Sequence, residues 1–293
     1  MSRVYLHSNN NEYSLIKLMI LLFIPFMLFG FYKNGIYLYN KEFINIIDLF
    51  RPLFYIGISL LTTFIFKLIF KEDFLSFRLL TNLMISLVVS PILNIFIYTG
   101  LLVFLNIVLK FIKINIVPIF MIINIGIGYL SSKNIFLNSL ESSLTHSYSA
   151  LDYFLGKGCG GVSNTLLIGS LISIFILTMN INYKKQIPIM SFAVYYILMI
   201  FYTFITSSAS VDLLLNNNVI FSFIFVSNIP IYTPYSKGAC YIYGFLLGLL
   251  TFTFSFIDIN LAVYLSIIIL GFIYKLIDKF IVGKSNNNLI EVL

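Results

Sequence analysis

Residues 187–206 read IPIMSFAVYYILMIFYTFIT, twenty positions without one formal charge. A helix needs about 20 predominantly apolar residues to cross the hydrocarbon of a bilayer. The apolar positions run together instead of alternating, which argues against a half-buried strand. In lipid only a helix satisfies its own backbone N–H and C=O groups within one segment. Outward from this stretch the same texture recurs. Including it, ten segments can be read, near 15–32, 53–70, 79–93, 95–112, 116–130, 163–181, 187–206, 219–233, 239–257 and 261–281.

Composition agrees. The chain has 293 residues, 60% hydrophobic and 10% charged, with mean hydropathy +1.00, where soluble domains carry about 25% charged residues. The fold class is therefore all-α, a polytopic membrane protein. The formal charge of +7 would suggest nucleic acid in a soluble protein. In this setting it is an orientation signal, and the expected partner is the lipid bilayer, not nucleic acid. The first run, 15–32, exceeds a signal h-region and lacks a small-residue cleavage site, so it reads as a retained helix.

Lys and Arg sort the connections. With the N-terminus inside and every segment crossing, 13 basic residues fall inside and 5 outside, the latter being Lys33, Lys41, Arg51, Lys133 and Lys157. The positive-inside rule favours this arrangement in a cell membrane, with both termini cytoplasmic and residues 131–161 extracytoplasmic. The third segment ends in SLVVSPI (86–92) and the eighth contains FSFIFVSNIPIYTP (221–234). Both are short and interrupted by proline, and each is third in a set of five. That pattern suggests two inverted five-helix repeats, about 15–130 and 162–281, within a single integral membrane domain of residues 1–293, with a site between the halves. Proline simply ending two short helices is the plainer reading of the same residues.

The halves are joined by the one long polar stretch, which includes SLESSLTHSYSALDYFLGKGCGG (139–161). Within it, 149–155 suits a short interfacial helix. Long ordered loops in compact bundles are usually functional. Catalytic and metal chemistry find little support. His7 and His146 lie outside the spans without partners at ligand spacing, and Cys159 and Cys240 form no CxxC. Asp48, Asp212 and Asp258 fall at span ends, and Asp278 lies beside Lys275 and Lys279 as a local pair. No acid falls at the middle of a segment.

Four blocks together resemble one family, the RnfD/NqrB family of membrane subunits found in Rnf-type electron-transport complexes and sodium-translocating NADH:quinone reductases. They are VYLHSNNNEYSLIKLMILLFIPFMLFG (4–30), LLTNLMISLVVSPI (79–92), ALDYFLGKGCGGVSNTLLIGSLISIFIL (150–177) and FIFVSNIPIYTPYSKGACYIYGFLLGLLTF (223–252). The resemblance implies FMN joined by a phosphodiester to a threonine in a family SGAT motif. The matching stretch here is SSLT, Ser142 to Thr145 with Ser143 between, so Thr145 is the implied anchor. Gly158, Gly160, Gly161, Ser163 and Asn228 are the implied flavin-site positions, with a second, non-covalent flavin between the halves as a further expectation. Gly244 and Gly248 read as helix-packing glycines. This sequence departs from the family where acids are expected: Val162 and Asn228 stand in their places, which puts ion pumping in doubt.

The resulting expectation is a flavin-carrying subunit, dependent on partner subunits or extracytosolic flavoproteins and on a flavin transferase, within a redox-driven translocase it does not constitute alone. The alternative is a channel or transporter for a small neutral solute of the urea type, or a vitamin permease subunit, since inverted repeats without midplane charge suit either.

Overall fold

The computed structural model describes residues 9–42, 44–71, 76–91, 93–111, 115–131, 149–157, 160–206 and 214–290. Among these, all regular structure is helical. The elements are α1 (Asn9–Phe31), continued by a π-helical stretch Tyr32–Tyr37 and a turn Leu38–Asn40; α2 (Ile46–Leu49); α3 (Arg51–Phe70); α4 (Phe77–Val88); α5 (Ile95–Phe111); and α6 (Val117–Ser131). After the connection come α7 (Ala150–Phe154), α8 (Leu167–Met179), α9 (Gln186–Thr206), α10 (Asn217–Phe221, extended by π-helical Ser222–Val226), α11 (Lys237–Ser255) and α12 (Ile259–Ile290). Five segments are long and apolar enough to cross a membrane: Tyr13–Asn40, Arg51–Phe70, Gln186–Thr206, Lys237–Ser255 and Ile259–Ile281. Five shorter apolar helices accompany them. This is a multi-pass membrane protein, and each of the ten segments read from sequence contains at least one helix, the eighth also holding a 3-10 turn at Pro230–Tyr232.

Contacts sort the connections onto two faces. Asn34 reaches Val162, and Asn164, Asn218 and Asn260 share one network, so the turns at 33–51, 160–166, 214–218 and 257–260 lie together. On the opposite face, Asn182 reaches Ser14, Lys184 reaches Thr233, and the Asp278 carboxylate accepts from Tyr235 N (2.8 Å) and Ser236 N (3.1 Å). The start of α1 and the end of the last span therefore share a face. Asp278 was expected to pair locally with Lys275; it holds the start of α11, where unpaired helix N–H groups attract an anion.

Two helices are too short to span. At 1.5 Å per residue α4 is about 18 Å long, against about 30 Å of hydrocarbon. Every residue of α4 from Arg78 to Val88 is buried, as is every residue from Asn217 to Val226. A helix buried on all sides sits inside the bundle. The two run antiparallel: Phe77, opening α4, packs its ring 5.5 Å from Tyr232, just beyond the end of α10, while Val88 and Asn218 line one cleft at the loop face. Against α10, Phe23 and Phe26 of α1 interlock with Phe221 and Phe225, ring centroids 4.9–6.2 Å apart. Pro91 and Pro230 each follow a short helix, but at opposite faces, as the antiparallel course requires.

Polar side chains tie the first half together. Asn82 donates to Thr63 (2.9 Å), Asn106 donates to Asn82 (3.0 Å), and the Arg78 guanidinium donates to Asn106 O (2.7 Å). The second half uses close backbone approach. A Cβ on Gly244 would lie 2.6 Å from Ile187 O, and one on Gly248 would lie 2.7 Å from Ser191 O. Glycine every fourth residue thus lets α11 meet α9 at the backbone, as the sequence reading anticipated. At the ends, helix extends through asparagine-rich stretches, from Asn9 and through to Ile290.

Candidate functional site

The segment 160–166 was expected to open a helical span at 163. Instead α8 begins at Leu167, and the chain before it is unwound yet buried: Val162, Ser163, Asn164 and Thr165 are all at most 1% exposed. Buried backbone must find partners. Val162 N–H donates to Val89 O and Ser163 N–H to Leu87 O, both at 2.9 Å. Those carbonyls close α4, where a helix end leaves four C=O groups unpaired. Gly161 makes the approach possible, because a Cβ there would overlap the Val88 carbonyl. Gly30 of α1 is needed for the same reason against Ser163.

Around this segment lies a polar cluster inside an apolar bundle. Lys33, 1% exposed, donates from Nζ to Thr165 Oγ1 at 3.1 Å. Asn34 Nδ2 donates to Val162 O at 2.6 Å. Asn218 is the hub: its Oδ1 accepts from Asn164 Nδ2 (2.7 Å) and Tyr264 OH (2.6 Å), and its Nδ2 donates to Asn260 O (2.7 Å). Asn216 caps α10, its Oδ1 accepting from Asn218 N (3.0 Å) and Val219 N (3.2 Å). Four buried oxygens nearby have no hydrogen-bond partner: Ser163 Oγ, Asn164 Oδ1, Asn217 Oδ1 and Ser222 Oγ. The cleft among Val88, Gly160, Gly161, Asn164, Asn218 and Asn260 measures about 10 Å³. That admits one water. It does not fit an isoalloxazine ring, and no step is assigned to a flavin held there.

Beside the cluster, α7 closes the connection. Ser149 and Asp152 form a reciprocal capping box, and Lys157 Nζ lies 3.0 Å from Asp152 Oδ1. The Ser149 side-chain hydrogen bond, foremost, and the Lys157 bond hold the Asp152 carboxyl down at about 2. Leu151 and Leu155 are exposed while Tyr153 is buried, as the sequence led one to expect of a short interfacial helix.

A family model described as NQR2, RnfD, RnfE matches residues 118–286. That is more than half of the chain. The chain belongs to the NQR2, RnfD, RnfE family. It is thus a membrane subunit of the Rnf/Nqr type. No curated protein matches it in sequence. The match covers the connection and second half, including two of the four resembling blocks; the blocks at 4–30 and 79–92 lie outside it.

Of the site residues this NQR2, RnfD, RnfE family member was expected to use, Thr145, Ser142, Ser143 and Gly158 lie outside the described residues. Gly160, Gly161 and Ser163 do come together. Asn228 does not join them. It follows α10 at the opposite face, because the antiparallel course brings the start of α10, not its end, to the loop face. Both polar side-chain atoms of Asn228 are buried without a hydrogen-bond partner. The adjacent Tyr183 hydroxyl gives its proton to Ile224 O at 2.9 Å. Sequence reasoning missed Lys33, Asn34, Asn164, Thr165, Asn217 and Asn218. The available signal was the run of three asparagines at 216–218 heading an apolar segment.

Proposed function

We propose that this membrane subunit carries FMN as a phosphodiester on Thr145 and passes electrons between partner subunits or extracytosolic flavoproteins. The observation that carries the reading is the family match, which includes SSLT at 142–145. The chemistry the flavin supplies is one-electron exchange. The chain's part is to offer the hydroxyl on the connection and to anchor that connection through the α7 capping box and the buried 160–166 segment. A second flavin between the halves is not part of the proposal, since the cleft there has room for one water.

The reading includes weak or absent cation pumping, and an extracytoplasmic location for the 131–161 connection. Every buried charged side chain among the described residues is a cation: Lys33, Arg78 and Lys184. Carboxylates are the usual carriers of cations within a membrane, and Val162 and Asn228 stand where the family resemblance puts acids. The interlocked phenyl rings of α1 and α10 add an apolar barrier. The test is electron transfer in sealed vesicles containing the assembled complex. Flavin-dependent transfer with little sodium or proton gradient is expected. A robust gradient that an uncoupler abolishes would overturn the coupling claim, and transfer unaffected by Thr145→Ala would overturn the flavin claim.

A further inference from the structure

The connection between α1 and α3 holds a second pocket, which adjoins the polar cluster at Asn34. It is lined by Asn34, Leu38, Asp48, Arg51, Pro52 and Pro91 and encloses about 70 Å³. Its floor is fixed: Asn34 is tied to Val162 O, and the Tyr55 hydroxyl donates to the carbonyl of Leu93 and, at 3.4 Å, to that of Pro91. At its rim Arg51 and Asp48 form an ion pair of 2.6 Å, with side chains 31% and 33% exposed. A guanidinium has five N–H donors and this pair occupies few of them. Arg51 also opens α3, where helix N–H groups add positive potential.

The surroundings are those of a lipid surface. Ile46, Ile47, Phe50, Leu53 and Phe54 are exposed around the pocket, with Ile47 at 75%. They belong to a connection between two successive spans, so they lie at the level where headgroups meet acyl chains. The charges of residues 41–51 cancel, Lys41 and Arg51 against Glu42 and Asp48, while Lys33 is turned away and buried on Thr165. A rim that carries one cation and one anion side by side complements a zwitterion.

We propose that this pocket binds the headgroup of a phosphatidylethanolamine molecule, its phosphodiester on Arg51 and its ammonium on Asp48. The size suits a phosphate and its substituents and excludes a ring system such as a flavin. Phosphatidylcholine fills the phosphate half but has no N–H to give the carboxylate. Phosphatidylglycerol presents its phosphate without an ammonium, leaving Asp48 facing an anion. Exposed apolar side chains of α2 and α3 receive the acyl chains, which a soluble headgroup lacks.

The experiment is native mass spectrometry of the full chain, purified and exchanged into equal mixtures of the three lipids, with soluble glycerophosphoethanolamine as a fourth probe. The wild type is expected to retain phosphatidylethanolamine about tenfold over the other two, the scale of one charge-assisted hydrogen-bonded contact. Arg51→Gln should lose that retention. Asp48→Asn should keep lipid but lose the preference over phosphatidylglycerol. Lys41→Gln, outside the pocket, should behave as wild type. Equal retention of all three lipids by the wild type overturns the proposal even if Arg51→Gln proves unstable. So does unchanged retention in a folded Arg51→Gln. Displacement of the lipid by glycerophosphoethanolamine at equal concentration would assign the pocket to a soluble phosphodiester and overturn the lipid source.

Discussion

Asn218 gathers three hydrogen bonds in an apolar interior, and what they cost to break follows from who is left behind. Asn218→Leu strands the Tyr264 hydroxyl and the Asn164 amide, each buried. An unsatisfied buried group costs about 1–3 kcal/mol. Thermal unfolding in detergent should therefore show a marked drop for Asn218→Leu, and a smaller one for Asn260→Ala, which keeps the backbone acceptor. Asp152 supports a pH prediction. Its folded pKa, about 2, lies below the unfolded value of about 3.9. Its contribution is then complete above about pH 4 and lost as pH falls through 2. Carboxyl-carbon NMR should find Asp152 ionised at pH 3, and Ser149→Ala should raise its midpoint, since that side chain is the leading cause. At this scale the sequence drew attention to Gly160, Gly161 and Ser163, which the fold brings together, because glycine beside a polar loop is conspicuous. It hid Lys33 and the asparagines, because at segment ends a polar residue looks solvated whether or not a neighbouring helix covers it. Asn228 lies apart from Gly160, Gly161 and Ser163 because the course of α10 carries its end to the opposite face.

Glycine chemistry separates elements that touch from elements that face lipid. Gly244→Ala drives a methyl into Ile187 O and Met190 Cβ, so α11 must part from α9. Overpacking of this kind costs about 1–3 kcal/mol. Gly57, in the interior of α3, has nothing within 4 Å of a new Cβ. Gly57→Ala should be neutral or stabilising by about 0.4–1 kcal/mol, through helix preference alone. Comparing the two melting temperatures checks both. The approximate positions of the elements were legible, since long apolar runs have one solution in lipid. The unwound 160–166 segment was not. Its VSNTLL sequence is apolar enough to join a helical run, and hydropathy does not distinguish buried helix from buried extended chain. Only the free carbonyls of α4 and the narrow space beside Val88 explain why it unwinds there. The π-helical turns at Tyr32–Tyr37 and Ser222–Val226 left no sequence signal of which we have a physical account.

For the whole molecule, the contacts place the start of α1 and the end of the last span on one face and the 33–51 and 160–166 connections on the other. A cysteine introduced at Lys41, exposed on the loop face, should react with an impermeant maleimide added outside cells, and one at Lys237, exposed on the other, should react only after permeabilisation. Labelling of both from outside would contradict the topology. In the sequence, the prolines at 91 and 230 marked the ends of the two short helices, and their antiparallel course is seen in Phe77 against Tyr232 and Val88 beside Asn218. The central proposal concerns the connection: a flavin held by a covalent bond at Thr145. The most direct measurement is peptide mass spectrometry of the protein made together with a flavin transferase. The account predicts that the peptide containing Ser142 to Thr145 is heavier by one FMN less one water, with fragmentation placing the addition on Thr145 and Thr145→Ala removing it. An unmodified peptide in protein from flavin-replete cells, or the same addition on another residue, would contradict it.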